Sequence, residues 1–370
     1  AEKAVDLALQ TTSPSVTIEL RGGEPLVAFP MLKHVVEHAL RKNRAYGKAL
    51  AFTMVSSLSR MDEEKLAFLV ANKVQICALV DAPEALDAAP RALPAGTPRR
   101  ESARWIERVH AEYDRLGLDP SLYHVEAWLG ATRDALRSPR EIVDTYVDLG
   151  CRTLFLRPLE PLLRGDRSPG AAQHDGAAFL DFHRAALDHL LDRERRGVQV
   201  LERYASIFLT RILRDEEPSF VDARSPGASA IGALAYGPDG GVFTSDEGRA
   251  MAAEGDAAFR IGDVATSTYR GLMTHPTVRA LVMASLREVQ PDCVACAFAP
   301  YCGVPPERSY RTQGSIFGRM RESAPCAVHK GIMDHLFGKL AEADDDTRAI
   351  LRRWTTARER THFLHASSAS

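Results

Sequence analysis

Four of the six cysteines of this 370-residue chain crowd into its last quarter: Cys293, Cys296, Cys302 and Cys326. Their spacing is Cys-x2-Cys-x5-Cys, then 23 residues, then the last Cys. Two thiolates in a CxxC turn can grip one metal centre, a third can reach it from the same loop, and a distant fourth closes the set. Four thiolates suit tetrahedral zinc or a 4Fe–4S cluster. Zinc ribbons favour two CxxC knuckles, and the second is missing here. Phe298, Pro300 and Tyr301 lie in the same loop and could shield an oxygen-sensitive cluster, so iron–sulfur is preferred and zinc is the alternative. A chain of this size needs no disulfide staples, and clustered cysteines fit a metal site in a reducing compartment. Cys77 and Cys151 read as small buried hydrophobes. His329 reads as a surface helix histidine rather than a ligand. So do His34 and His38, at i and i+4, which lack the Glu that follows the first His in zinc proteases.

A second candidate is Arg21-Gly22-Gly23-Glu24-Pro25-Leu26. An apolar run, 16–20, leads straight into two glycines, an acid and a proline. Paired glycines let a ligand approach the backbone closely. Glu24 would then stand at the C-terminal mouth of a sheet, where α/β folds place their ligands. The plainer alternative is a strand-to-helix turn with a solvent-facing Glu.

The elements that must position these groups alternate. Short β-rich runs at 16–20, 50–55, 74–80, 124–129 and 153–156 are separated by helical periods at 32–43, 63–72, 101–118 and 140–149. That order predicts a parallel sheet with crossover helices. Residues 1–9 read as a helix before the first strand, where a parallel unit would place another strand. The expectation is a partial (β/α)6 barrel whose first strand lies upstream of this chain. Loops are expected at 90–99 and 163–174, helices at 177–196 and 205–213, and a last strand at 198–201. After residue 214 turns dominate. A hairpin is expected from 230–236 to 242–244, with helices at 269–288 and 330–343, and residues 362–370 are expected to fray. The domains are therefore 1–214, 215–345 and a C-terminal helix and tail, 346–370.

Composition narrows the function classes. The chain is 45% hydrophobic and 26% charged, with a formal net charge of −2. No basic field points to nucleic acid, no run is long and apolar enough to span a bilayer, and no secretory signal opens the sequence. A cytoplasmic protein is expected, with neither nucleic acid nor membrane as partner. No Ser-His-Asp order, P-loop or dinucleotide glycine fingerprint stands out.

Taken together, GGEPL after an apolar strand, the later CxxC-x5-C and the distant Cys resemble radical S-adenosylmethionine (SAM) enzymes with a SPASM or twitch auxiliary-cluster domain. The stretches VDARSPG (221–227), YGPDGGVFTSDEGRAM (236–251), FRIGDV (259–264) and CAFAPYCGVPP (296–306) look most like His-Xaa-Ser system radical SAM maturases of the B type. The resemblance runs from residue 1 to about 340. It implies an α/β partial barrel followed by a small cysteine-rich domain. It implies that Gly22, Gly23, Glu24 and Pro25 bind the SAM amino group. Ser56 and Ser57 stand where relatives commonly have Thr-Asn near the SAM ribose or carboxylate. Arg157 would clamp a carboxylate of SAM or of the substrate, or pair with a neighbouring acid, and Asp81 would face the cavity or cap a turn. Cys293, Cys296, Cys302 and Cys326 would hold one auxiliary 4Fe–4S cluster. The full SPASM pattern has seven cysteines, and Pro306 stands where another might follow, so a reduced, twitch-like arrangement is implied.

The family's CxxxCxxC loop, which binds the SAM-cleaving 4Fe–4S cluster, is not in this sequence. It is expected just upstream, and the chain alone is expected to be inactive. The implied activity is hydrogen-atom abstraction from a ribosomally synthesised precursor peptide by a 5′-deoxyadenosyl radical, in company with a second maturase of the same system. The alternative is a non-catalytic, zinc-stabilised peptide-binding protein.

Overall fold

Six strands pair in chain order into one parallel sheet: β1 (Ser15–Leu20), β2 (Ala49–Ser56), β3 (Val74–Leu79), β4 (Glu126–Ala131), β5 (Thr153–Pro158) and β6 (Leu201–Glu202). The structure is a computed structural model that describes residues 1–79, 99–158, 176–214, 216, 223–227, 229–356 and 360–365. Asp81, the 163–174 connection and most of 90–99 lie outside those residues. Two units are distinguished, Ala1–Arg203 with Ala357–Ser370, and Tyr204–Thr356.

In the first unit the sequence order dictates the crossovers. Helix α1 (Glu2–Leu9) precedes β1, and α2 (Phe29–Tyr46), α3 (Glu63–Ala71), α4 (Arg99–Arg115), α5 (Pro139–Asp148) and α6 (Gly176–Arg195) separate the strands. The ends follow local chemistry. Asp62 caps α3 by accepting from the Lys65 N–H, and Gly47, in the left-handed region with φ 64°, closes α2. One face of the sheet is apolar and fully covered: Leu50, Phe52, Met54, Ile76, Ala78, Leu129, Leu154 and Leu156 are buried. Leu32, Val36, Leu66, Leu69, Ile106, Val109, Ile142 and Leu187 supply the buried sides of the helices. The alternate residues, among them Glu19, Thr53, Gln75, Glu126, Trp128 and Arg157, share the other face. That face is mixed, with Val55, Cys77 and Phe155 buried among the polar residues.

The Arg21 guanidinium, just past β1, lies 5.5 Å from the ring of Trp128 on β4, so these long side chains meet over the two strands between them. Residues 360–365 return to this unit rather than fraying, while 366–370 lie outside the described residues. His365 forms a bridge with Leu50 through backbone bonds of 3.2 and 2.8 Å, and Phe363 packs edge-on against Tyr113 and Tyr123. Burial of that aromatic ring outweighs the polar composition that suggested a loose tail.

The second unit begins in α7 (Arg203–Arg214). It carries an antiparallel sheet of β7 (Ala235–Tyr236), β8 (Gly241–Phe243) and β9 (Arg260–Asp263), the first pair being the expected hairpin. Helix α8 (Asp246–Ala253) lies between β8 and β9 in sequence, capped by Ser245. The helix expected over 269–288 is broken into α9 (Tyr269–Met273) and α10 (Pro276–Ser285). Pro276 cannot donate to the preceding turn, and His275 caps the new start by accepting from the Thr277 N–H at 3.2 Å. Helices α11 (Pro291–Val294), α12 (Pro306–Gln313), α13 (Ala324–Glu342) and α14 (Asp345–Trp354) complete the unit.

Candidate cofactor site and cysteine cluster

Strand β1 ends at Leu20, and the Gly-Gly-Glu turn follows at the C-terminal end of the sheet. Glu24 does not face solvent. Its residue is only 8% exposed, and its carboxylate is gripped from the end of the neighbouring strand. Oε1 accepts from the Ser56 hydroxyl at 2.7 Å and from the Leu26 N–H at 3.1 Å. Oε2 accepts from the Ser57 N–H at 2.9 Å and the Ser57 hydroxyl at 2.5 Å. Parallel pairing of β1 with β2 brings Leu20 opposite Met54 and so delivers Ser56 and Ser57 beside the turn. The Ser56 hydroxyl also accepts from the Leu58 N–H at 2.9 Å, where Leu58 takes a left-handed φ of 61°. Pro25 starts a short 3-10 turn for which Glu24 is the cap.

Gly22 and Gly23 have no conformational need to be glycine, since neither has positive φ. A Cβ built on either would meet nothing within 4 Å. Two glycines thus leave open backbone beside a fixed carboxylate, which fits a ligand bearing an ammonium. Four donors already fill the carboxylate's acceptor sites. The two hydroxyls are the donors that can rotate aside for an incoming ammonium, whereas the two backbone N–H groups cannot.

Arg157 lies on the same face of the sheet as Glu126 and Trp128. Its guanidinium lies 5.8 Å from the Trp128 ring and 5.2 Å from that of Phe155. Deeper, Glu126 accepts from Gln75 at 3.0 Å and from Arg360 at 2.5 Å. Burial pushes its carboxyl up, but Arg360 and Arg203 outweigh that and hold it below its ordinary value. The Cys77 thiol is 4.0 Å from Glu126 and is driven well above its ordinary value by burial and by that neighbouring carboxylate. Cys151, fully buried, is pushed up to about 12 by burial. Neither is an activated thiol. Sequence reasoning missed Glu126 and Arg360; Glu126 in an otherwise apolar strand was the available signal.

The four late cysteines lie in the second unit, all free and half-buried. Cys302 is pushed up to about 12 by burial and by Cys326, and Cys293 to about 11 by burial and by Cys326 and Cys296. Burial raises Cys326 too, against the pull of Lys330, and Cys296 adds to the rise. The four thiols therefore lie within electrostatic reach of one another. Among the described residues no three His, Cys, Asp or Glu gather as tightly as a single ion requires. A cubane gives each thiolate its own iron and spaces its sulfurs more widely than one ion does. The donor set fits a cluster in chemical type, and a bound metal would deprotonate these thiols outright.

Two guanidiniums pin the loop. Arg211 donates to the Pro300 carbonyl at 2.7 Å, and Arg287 donates to the carbonyls of Ala299 and Cys302. Phe337 packs against Phe298 and Tyr301. His329 is not on the surface. It is 2% exposed, sits between Phe208 and Tyr204, and places Nδ1 3.7 Å from the Cys302 sulfur. His34 and His38 face Glu2 and Asp6, at 3.1 and 3.0 Å, and hold α1 against α2.

No protein-family model and no curated protein matches this sequence. Solved structures do match its fold. Native anSMEcpe with bound AdoMet superposes with a TM-score of 0.74 at 16% identity, over 94% of this chain and 89% of that one. The same protein with AdoMet and the Cp18Cys peptide gives 0.74 at 16% identity, over 94% and 90%. SuiB of Streptococcus suis bound to S-adenosylmethionine gives 0.57 at 12% identity, over 86% and 67%. The chain has the α/β fold of these structures, with a six-stranded parallel sheet in one unit and the four late cysteines in the smaller unit. Among the described residues no helix is long and apolar enough to cross a membrane.

Proposed function

We propose that this chain binds SAM and is the body of a radical SAM maturase that modifies a ribosomally synthesised precursor peptide. The observation that carries the proposal is the Glu24 carboxylate, held by Ser56 and Ser57 beside the open Gly22-Gly23 backbone. Glu24 receives the ammonium of SAM, the two serines orient the carboxylate, and Arg157 draws a ligand carboxylate toward its face of the sheet. When bound and reduced, SAM supplies the 5′-deoxyadenosyl radical that abstracts hydrogen from the peptide. The cluster that reduces it requires a CxxxCxxC loop, which this sequence does not contain. Cys293, Cys296, Cys302 and Cys326 hold the auxiliary 4Fe–4S cluster. The His-Xaa-Ser B-type motifs support a cytoplasmic maturase that works beside a second enzyme of the same system, and the peptide-bound AdoMet complexes of the same fold support a peptide substrate.

The test is calorimetric titration of the full chain with SAM, compared with Gly23→Val. The glycine's surroundings are empty, so the variant should keep its melting temperature. It should lose SAM affinity by about tenfold or more, the equivalent of 1.4 kcal/mol. A wild-type chain that binds no SAM, or a valine variant that binds it equally, overturns the reading.

A further inference from the structure

Arg287 does more in the cysteine loop than hold two carbonyls. It lies in the 3-10 turn Arg287–Val289, between α10 and α11, and its main-chain N–H donates to the Ser225 hydroxyl at 3.3 Å. The turn leads straight into the first late cysteine, because the next carbonyl, that of Gln290, accepts from the Cys293 N–H at 2.9 Å. One end of the guanidinium, Nη1, donates to the carbonyls of Ala299 and Cys302. The cation is thus anchored on the loop that carries three of the four cysteines. Its Nε is buried and has no acceptor among the described residues, and no carboxylate among them pairs with it. A buried donor without an acceptor is costly, and so is a half-buried cation without a counter-anion.

A 4Fe–4S core held by four thiolates is a net anion, more so when reduced, and its charge and hydrogen bonds set its potential. It would supply both missing partners, sulfur acceptors for the Nε–H and negative charge for the guanidinium. The electrostatics of the loop run the same way. Burial is the largest cause of the rise at the Cys293 thiol, Cys326, Cys296 and Asp292 add to it, and Arg287 opposes them. Asp292 is itself engaged by Arg321 at 3.1 Å. Gln290 Oε1 is also buried without a donor, but a neutral amide does not offset a charge.

We propose that Arg287 is the charge partner of the auxiliary cluster: its Nε–H donates to cluster sulfur, and its charge makes the cluster easier to reduce. This rests on the assignment of that cluster to Cys293, Cys296, Cys302 and Cys326. It separates the two guanidiniums of the loop, since Arg211 holds the Pro300 carbonyl and is not among the groups that bear on the thiols.

The test uses the full chain, reconstituted anaerobically with iron and sulfide. Iron content is measured, and the midpoint potential is taken from a redox titration followed by electron paramagnetic resonance. Arg287→Met keeps the length of the side chain but removes its charge and its donors. It should retain its iron, because the four thiolates and the Arg211 contact still hold the loop. Its cluster should be about tenfold harder to reduce, a downward shift of about 59 mV for one electron. Arg287→Lys keeps the charge without the Nε donor and should shift in the same direction by less. Arg211→Met should move the potential by less than about twofold, a shift too small for a lost charge partner. An unmoved potential in Arg287→Met overturns the proposal, and an equal shift in Arg211→Met does so by assigning the effect to loop packing. Loss of iron from both Arg287 variants makes the residue a structural clamp, and the proposal falls. If only Arg287→Met loses iron, Arg287→Lys decides: a lowered potential upholds the proposal and an unchanged one overturns it. A wild-type chain that takes up no iron removes the cluster assignment beneath the proposal, whereas a loaded wild type with unmoved variants removes the proposal alone.

Discussion

Ser57 donates both its backbone N–H and its hydroxyl to one oxygen of Glu24, Oε2, across the gap between two neighbouring strands. The other oxygen is held by Ser56 and Leu26. This gives Glu24 a structural role beside the proposed one of binding SAM. Glu24→Gln puts an amide NH2 where only donors point, so one donor pair must lose its acceptor. Thermal unfolding should show a loss of about 1–3 kcal/mol, the cost of an unsatisfied buried donor. Calorimetry should show SAM binding weakened by a similar amount, since the charged partner of the ammonium is gone. Unchanged stability with unchanged SAM affinity would mean that the carboxylate is neither held nor used.

The C-terminal segment makes a second testable contribution. Arg360 reaches Glu126 across 234 positions of sequence and offsets the burial of its carboxylate. Arg360→Ala should destabilise the chain by about 3 kcal/mol, because it leaves a buried charge poorly compensated. Adding Glu126→Gln should recover part of that loss, since the charge is then gone. Urea denaturation of the single and double variants measures both, and an undiminished penalty in the double variant would assign the loss to packing.

That contact also marks where sequence reading stops. The alternation of strands and helices was legible because the outward strand residues must be apolar for the helices to cover them. Glu24 stood out because an apolar strand runs straight into Gly-Gly-Glu, but Ser56 and Ser57 were marked only through the resemblance, as neighbours of the SAM ribose or carboxylate, and their grip on Glu24 follows from the β1–β2 register. The return of residues 360–365 to the sheet was not, since a six-residue segment carries no periodicity, and Phe363 and Arg360 find partners far away in sequence. Pro276 was visible in the 269–288 stretch, yet its apolar spacing continues through the break and masks it. The burial of His329 depends on Phe208 and Tyr204, more than a hundred positions earlier, and no local pattern encodes that.

Acid should unfold the first unit early. Burial pushes His110 down to about 4, with Arg152 adding to the effect, and His124 to about 4, with Arg360 adding to it. His110 Nε2 accepts from the Val125 N–H at 3.0 Å, which requires the unprotonated nitrogen. Both folded values lie below the unfolded value near 6.5, so their contribution is intact above pH 6.5 and is lost as pH falls toward 4. At pH 5 the unfolded chain takes up protons that the native chain refuses, which costs about 2 kcal/mol per histidine. Urea midpoints from pH 7.5 to 5 should fall accordingly. His110→Gln and His124→Gln should each flatten the dependence, even where they lower stability throughout. A pH-independent midpoint would show that neither histidine is held neutral.

Cluster loading tests the second unit. Anaerobic reconstitution of the full chain with iron and sulfide should give a brown protein with about four irons, one cubane on Cys293, Cys296, Cys302 and Cys326. Serine at any one of these should cut iron content by half or more, because a cubane with an open corner degrades readily. Serine at Cys77 or Cys151 should not, since those thiols lie in the first unit. A colourless chain carrying one tightly bound zinc would overturn the cluster assignment. His329 then distinguishes two arrangements through its 3.7 Å approach to the Cys302 sulfur. If its ring N–H donates to that thiolate, it withdraws electron density from the cluster, so His329→Leu should retain full iron content and lower the midpoint potential. If His329 is instead a ligand, the same variant should lose iron while Cys302→Ser largely keeps it.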